Sequence, residues 1–351
     1  MTDVTHHPAE GSAMRLEAPE PSPAANTAEP PTATAAAGPG RRRLRLALKL
    51  AGSALLLAWV LRGTRLADVW AAIRAARAAP LVLAFLLQFV GVWISARRWR
   101  VLLRAQGVEA PVRFLAASFM VGSFFNNFLP STIGGDAVRI YDSHRAGVSR
   151  TAAVAVILVD RLLGLLVLML FALAGLLLSP RLTADLPALG LWVALGTTAL
   201  AGAVAVIFVP LPGLAPLARA LAARLPAAGA RLVAKVRDAF AAYRDAHRTL
   251  GVALAWSVAL QANVVLFYVL VAQALGLPVA WANFLLIVSV ALVVTLLPIS
   301  INGIGLRENT FAVLLAPFGV ASADALAFAW LAYLLLLGGS AIGGVVYAVR
   351  R

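Results

Sequence analysis

The sequence predicts an all-α, polytopic integral membrane protein, and three observations support this fold class. Of the 351 residues, 62% are hydrophobic and only 13% are charged, whereas soluble domains are about one quarter charged. The apolar residues form runs long enough to cross a bilayer, which takes roughly 20 residues per helix. Most arginines flank these runs, where basic residues fix orientation and meet anionic lipid headgroups.

Residues 1–40 differ in composition from the rest of the chain. They are rich in Ala, Pro, Thr and Glu and nearly lack large apolar side chains, so they cannot bury enough surface to fold. We predict a disordered cytoplasmic tail at 1–40 and a transmembrane domain at 41–351. The apolar segments of that domain lie at about 46–61, 80–96, 112–129, 151–178, 189–209, 250–275, 281–300 and 321–349.

Charge and composition narrow the possible function classes. A net charge of +15 would suggest a nucleic-acid partner in a soluble protein, but here the arginines flank membrane segments, so no nucleic acid is expected. The absence of cysteine excludes thiolate chemistry and cysteine-ligated metals. The four histidines show no metal-ligand spacing in the membrane region, and we predict no metal and no other cofactor.

An internal repeat is the most informative feature of the chain. Residues 129–139 (LPSTIGGDAVR) and 297–307 (LPISINGIGLR) align without a gap and are identical at five of eleven positions. Each copy follows an apolar arm. A repeat with this placement suggests two related units within the membrane domain.

Charge counting predicts how these two units are oriented. Eight plain spans would leave 13 basic residues in the cytoplasm and 15 outside, against the positive-inside rule. If 112–150 and 281–320 are re-entrant hairpins, the counts become 22 and 6. We therefore predict about six full spans plus two re-entrant hairpins forming an inverted repeat, with both termini cytoplasmic. Eight plain spans are the alternative.

The repeated motif contains residues suited to breaking a helix and binding an anion. Pro130 and Pro298 would end the entering helices, and a returning helix would begin near Asp136 or Leu306, with its positive end favouring an anion. Its glycines, which allow tight turns, are Gly134, Gly135, Gly303 and Gly305. Its candidate headgroup ligands are Asn126, Asn127, Asn302, Arg139 and Arg307.

Two interpretations of the motif arginines are open. Arg139 and Arg307 lie about one turn into the returning helices and could grip a phosphate through two hydrogen bonds, facing one shared cavity. Alternatively, Gly and Pro only permit helix packing, and the arginines pair with Asp136 and Glu308.

Asp160 and Arg161 lie within the apolar run 151–178. At ~1.5 Å per residue, Asp160 is roughly 13 Å from the helix start, near the middle of a ~30 Å core. Ionisable residues at that depth are costly and usually face the bundle interior. We predict a direct or gating role in transport. The alternative is a buried structural ion pair with a partner such as Arg139 or Glu308.

Three motifs resemble those of a known family. NNFLPSTIGGDAVR (126–139), VDRLLG (159–164) and LLPISINGIGLREN (296–309) are similar to the transmembrane region of lysylphosphatidylglycerol synthases, a flippase-like membrane family, over roughly residues 45–350. The resemblance implies a lipid moved between leaflets of the bacterial inner membrane. The synthases' aminoacyl-transferase domain is not expected here. The family pattern matches at Asn127, Pro130, Gly134, Gly135, Arg139, Asp160, Arg161, Pro298, Asn302, Gly303, Gly305, Arg307 and Glu308.

The resulting hypothesis is a lipid flippase-like transporter rather than an enzyme, since no catalytic set of side chains is apparent. Its substrate would be an anionic or phosphate-linked lipid, either aminoacyl-phosphatidylglycerol-like or polyprenyl-phosphate-linked. The expected partners are membrane lipids, with a separate lipid-modifying enzyme or glycosyltransferase as a further candidate. The alternatives are a membrane subunit of a lipid-linked glycosyltransferase and a non-transporting scaffold of envelope-lipid synthesis.

Overall fold

A computed structural model describes residues 64–128, 134–208, 246–297 and 302–350, together with residues 51, 55, 57–59, 61, 62, 240, 242, 243 and 300. All of them belong to one compact unit, Leu46–Arg351. The predicted tail at 1–40 and most of the predicted span at 46–61 lie outside the described residues. Within the described residues every regular element is helical, which confirms the predicted class.

Eleven α-helices are described, and one 3-10 helix, Ala316–Phe318, follows the tenth. They are α1 (Leu66–Ala75), α2 (Ala78–Arg104), α3 (Val112–Phe128), α4 (Gly134–Arg145), α5 (Arg150–Leu178), α6 (Pro180–Asp185), α7 (Pro187–Phe208), α8 (His247–Ala274), α9 (Asn283–Thr295), α10 (Leu306–Leu315) and α11 (Ser322–Val349).

Four of these helices are long and apolar enough to cross a membrane: α2, α5, α8 and α11, with 27 to 29 residues each. A helix of that length extends ~40 Å, more than the ~30 Å hydrocarbon core. The structure thus confirms a multi-pass membrane protein, and these four helices cover the segments predicted as spans at about 80–96, 151–178, 250–275 and 321–349. Shorter apolar helices cover Pro187–Gly202 and Asn283–Thr295, so the total of six spans stays a prediction.

The helices α3 and α4 form the first hairpin, which enters and leaves at one end of the bundle. The guanidinium of Arg350, just after α11, lies 4.6 Å from the ring of Phe114 at the start of α3. The same guanidinium pairs with Asp142 near the end of α4, at 2.9 Å.

In the polar loop before α3, hydrogen bonds from Arg104 hold the pKa of the Glu109 carboxyl below its ordinary value.

The helices α9 and α10 form the second hairpin, which enters and leaves at the opposite end. The Ser179 hydroxyl, at the end of α5, donates to Asn283 Oδ1 at the start of α9, at 2.7 Å. The 3-10 helix that follows α10 packs against α6, which begins directly after α5. Since α5 begins beside the first hairpin and ends beside the second, the two hairpins point toward each other from opposite ends.

The two repeat units, α2–α5 and α8–α11, pack in a swapped manner: the hairpin of each unit lies against the last helix of the other unit. The first hairpin's α3 packs on α11, the second hairpin's α9 packs on α5, and α2 packs along α8. A Cβ added at Gly343 would overlap the Met120 carbonyl, and one added at Gly175 would overlap the Leu286 amide. These glycines are 168 residues apart, the same offset that relates Arg139 to Arg307. The repeat therefore extends into the spans that follow each hairpin.

Candidate functional site

Close backbone contact builds the first motif. A Cβ at Gly135 would overlap both the Gly122 carbonyl and the Asn126 amide, so only glycine lets α4 return this close to α3. The Gly135 N–H donates to Asn126 Oδ1 at 2.8 Å, which satisfies one free donor at the start of α4. The helix begins at Gly134, close to the predicted start. Pro130 lies outside the described residues.

A left-handed backbone builds the second motif. Asn302, Gly303 and Gly305 have φ values of 51°, 73° and 81°, a region that favours glycine. The turn starts α10 at Leu306, as predicted. Glu308 Oε2 accepts the Gly305 N–H at 2.6 Å, so part of the helix's positive end is already neutralised. Pro298 lies outside the described residues.

Asp160 is the centre of a buried cluster of charges. Its Oδ1 lies 2.6 Å from Arg98 Nε, and its Oδ2 lies 3.0 Å from Arg139 Nη2, with only 3% of Asp160 exposed. Arg98 Nη1 also donates to Ser257 Oγ at 3.0 Å. The cluster links α2, α4, α5 and α8. Asp160 therefore has the expected partner Arg139, and a second partner, Arg98, that the sequence analysis missed.

Arg161 lies next to Asp160 in the chain but has a different environment. Its side chain is 48% exposed, and its Nε donates to Asp136 Oδ2 at 2.7 Å. Asp136 therefore pairs with Arg161. The alternative in which Asp136 pairs with the motif arginine Arg139 is wrong. The Arg139 guanidinium instead lies 4.6 Å from the centre of the buried Trp99 ring, a cation–π contact that helps to hold a desolvated arginine.

These charges line one cavity of about 460 Å³, which we call the cationic cavity. Its ionisable lining among the described residues is Arg98, Asp136, Arg139, Asp160 and Arg161. Six of the predicted site residues meet here: Asn126, Gly135, Asp136, Arg139, Asp160 and Arg161. An excess of arginine within an otherwise apolar bundle attracts anions strongly, because little water screens the charges.

A second cavity of about 340 Å³ adjoins the cationic cavity, and Phe119 and Ser123 line both. We call it the central cavity. It lies between α2, α3, α8 and α11, and its lining is mostly apolar with neutral polar groups such as Gln88, Asn127 and Asn263. No charged side chain lines it among the described residues.

Arg307 does not line either cavity. It is 7% exposed, pairs with Glu308 at 3.0 Å and lies 4.0 Å from the centre of the Tyr333 ring. The expectation that Arg139 and Arg307 face one cavity is therefore wrong for Arg307, whereas the pairing with Glu308 is present. The motifs meet at another point: Asn302 Nδ2 donates to the Asn127 carbonyl at 3.0 Å.

The described fold is that of a multi-pass membrane protein built as an inverted repeat. It has long apolar helices, two hairpins that enter from opposite ends and a buried cationic cavity. Such repeats, with broken helices at their interface, are typical of transporters. The chain belongs to the family described as the lysylphosphatidylglycerol synthase TM region, which matches residues 46–343. No curated protein matches the chain. The family match confirms the resemblance carried by the three motifs.

Proposed function

We propose that this chain is a lipid flippase-like transporter that moves an anionic or phosphate-linked lipid between the leaflets of the bacterial inner membrane. The observation that carries the proposal is the cationic cavity, in which Arg98 and Arg139 are buried and Arg161 is half exposed. Charged groups within a membrane bundle are costly, and arginine binds phosphate oxygens through two parallel hydrogen bonds. The two candidate substrates are those named from the sequence, an aminoacyl-phosphatidylglycerol-like lipid and a polyprenyl-phosphate-linked lipid.

The arrangement of the hairpins supports a route for the headgroup. The cationic cavity lies against the first hairpin, and the Asn302–Asn127 hydrogen bond joins the two hairpins where they meet. Rocking one repeat against the other would break this contact and expose the cavity to the opposite side. The lipid tails stay in the bilayer while the headgroup crosses. The chain leaves the lipid chemically unchanged, and a separate lipid-modifying enzyme or glycosyltransferase supplies or consumes it.

Reconstitution in liposomes tests this proposal. We expect the purified chain to move a labelled anionic lipid between leaflets without changing its mass. Replacing Arg139 with glutamine should lower the initial rate about tenfold or more, because a charge-assisted bond to the headgroup is lost. Arg181→Gln removes the same charge from the exposed helix α6 and should leave the rate unchanged.

Two outcomes would contradict the transport proposal. A change in lipid mass would indicate a membrane enzyme subunit. No leaflet exchange across a panel that includes polyprenyl-phosphate sugars would indicate a scaffold in lipid synthesis.

The two ends of the bundle carry different numbers of described basic residues. The end at which the first hairpin enters carries Arg97, Arg100, Arg104, Arg113, Arg145, Arg150, Arg248 and Arg350. The opposite end carries Arg62, Arg65, Arg74, Arg77 and Arg181. By the positive-inside rule, we propose that the first hairpin enters from the cytoplasm and that both termini are cytoplasmic.

Single cysteines test this orientation, because the native chain has none. Arg145 and Arg181 are exposed at opposite ends of the bundle, whereas Ser143 is fully buried and unsuitable as a reporter. We expect Arg181→Cys to react with an impermeant maleimide on intact spheroplasts, and Arg145→Cys to react only after permeabilisation. Labelling of Arg145→Cys from outside would rule out the cytoplasmic first hairpin.

A further inference from the structure

The net charge of the cationic cavity restricts its ligand. Three arginines and two aspartates line it among the described residues, which leaves one net positive charge. The undescribed residues of the two motifs, 129–133, 298–299 and 301, contain no ionisable side chain. The Arg161–Asp136 pair is internally balanced, so the excess charge belongs to the buried cluster of Arg98, Arg139 and Asp160.

The buried cluster has the geometry of an anion site that is partly filled by its own carboxylate. The two oxygens of Asp160 each contact a different guanidinium, at 2.6 Å and 3.0 Å. The two free oxygens of a phosphodiester can bridge two guanidiniums in the same way. In addition, Arg139 Nε is buried and has no hydrogen-bond partner among the described residues, so this arginine retains a donor for a ligand.

We propose that the cationic cavity selects lipids that carry one net negative charge, in the form of a phosphodiester of an uncharged alcohol, with the phosphate held between Arg98 and Arg139 beside Asp160. This inference rests on the proposed function, because it names the substrate class of the same site. A glycerophospholipid with a neutral polyol headgroup has this chemistry. A polyprenyl phosphodiester of a neutral sugar has it too.

Charge balance in a weakly screened site is the reason for the selectivity. A monoanion neutralises the described lining of the cavity, since its charge matches the one positive charge in excess there. A zwitterionic lipid would leave one buried positive charge uncompensated, and a diphosphate would leave at least one negative charge. Buried unpaired charges are strongly unfavourable, and like-charge contacts at a site suppress the wrong ligand. An aminoacylated headgroup would add a cation to a cavity that is already positive, so of the two candidate substrates of the proposed function the polyprenyl-phosphate-linked lipid fits this charge balance and the aminoacyl-phosphatidylglycerol-like lipid does not.

Competitive binding to the purified full-length chain tests the proposal. The chain is mixed with equimolar phosphatidylglycerol, phosphatidylethanolamine, lysyl-phosphatidylglycerol, a polyprenyl-phosphate monosaccharide and a polyprenyl diphosphate, and retained lipids are counted by native mass spectrometry. We expect one or both monoanionic phosphodiesters to be retained about tenfold more than the other lipids. The relative retention of these two separates the glycerolipid source from the polyprenyl source. Equal retention of zwitterion, dianion and monoanion would overturn the inference.

Two variants move the cavity charge in opposite directions. Arg161→Gln makes the lining neutral and should shift preference toward phosphatidylethanolamine by about tenfold. Asp136→Asn removes one negative charge, which raises the net positive charge of the lining by one, and should shift the binding preference toward the diphosphate. Both positions retain solvent exposure, so folding is expected to survive. Arg150→Gln is the matched control, since Arg150 is exposed on the same helix and does not line the cavity.

The outcomes separate this inference from the proposed function. An unchanged preference in Arg161→Gln and Asp136→Asn, or an equal shift in Arg150→Gln, would overturn the charge-selection inference. Leaflet exchange without charge selectivity would remove the inference and leave transport. Charge-selective binding without leaflet exchange of the same lipid in liposomes would leave the site as inferred and remove the transport function.

Discussion

Replacing Asp160 with alanine is expected to lower the free energy of unfolding by about 3–5 kcal/mol. The carboxylate is the only acidic group paired with Arg98 and Arg139 among the described residues, and both arginines are more than nine-tenths buried. Its loss would leave two buried cations facing each other without compensation. The measurement is the thermal unfolding of the purified chain in detergent, together with its membrane abundance.

The adjacent residue provides the control for this prediction. Arg161→Ala removes a half-exposed ion pair with Asp136, and such pairs contribute only about 0–1 kcal/mol. We therefore expect wild-type stability but reduced transport. The sequence had suggested that Asp160 and Arg161 act alike, whereas their burial separates them. An Asp160→Ala protein that melts like the wild type would show that the cluster does not stabilise the fold.

Leucine at Gly343 or at Gly175 is expected to prevent assembly of the bundle. Each glycine lies against the backbone of the opposite hairpin's entering helix, so any side chain would overlap Met120 or Leu286. Helix separation would be required, with a loss of at least about 2 kcal/mol from overpacking alone. The measurement is the fraction of monodisperse protein after extraction, and the two variants should fail similarly because the positions are related by the repeat.

Gly251→Leu is the matched control, on α8. No atom lies within 4 Å of a Cβ added there, and leucine is a better helix former than glycine. This variant should fold as well as the wild type. Equal losses in all three variants would point to a general intolerance of leucine rather than to the swapped contacts.

The sequence was sufficient for the features that depend on local pattern. Apolar runs of about 20 residues predicted the long helices, and the helix-breaking residues of the second motif predicted the start of α10 at Leu306 correctly. The cost of a charge in an apolar run placed Asp160 in the interior, with Arg139 as a partner. Arg98 was missed because it follows Arg97 near the basic end of a span. Its helical spacing to the buried residues Ile94 and Leu102 is the signal that could have identified it.

The sequence was insufficient where aligned residues of the two motifs adopt different backbones. Gly303 has a positive φ value, whereas Gly135, which aligns with it, lies in the first turn of a regular helix. Gly305, which also has a positive φ value, aligns with Ala137. The returning helices therefore start differently, and Glu308 has the reach to accept from Gly305 and to pair with Arg307. An alignment of eleven residues shows that the motifs are related, but backbone conformation decides which arginine lines the cavity.

The swapped packing also constrains the order in which the native structure can form during synthesis. Met120 and Gly343, which lie against each other, are 223 residues apart in the chain, and Asp142 pairs with Arg350. A nascent chain that has inserted the first hairpin still lacks the helix on which that hairpin packs. The ribosome must deliver α11 before the earlier half acquires its native neighbours. The first hairpin therefore stays without its packing partner until α11 has been inserted.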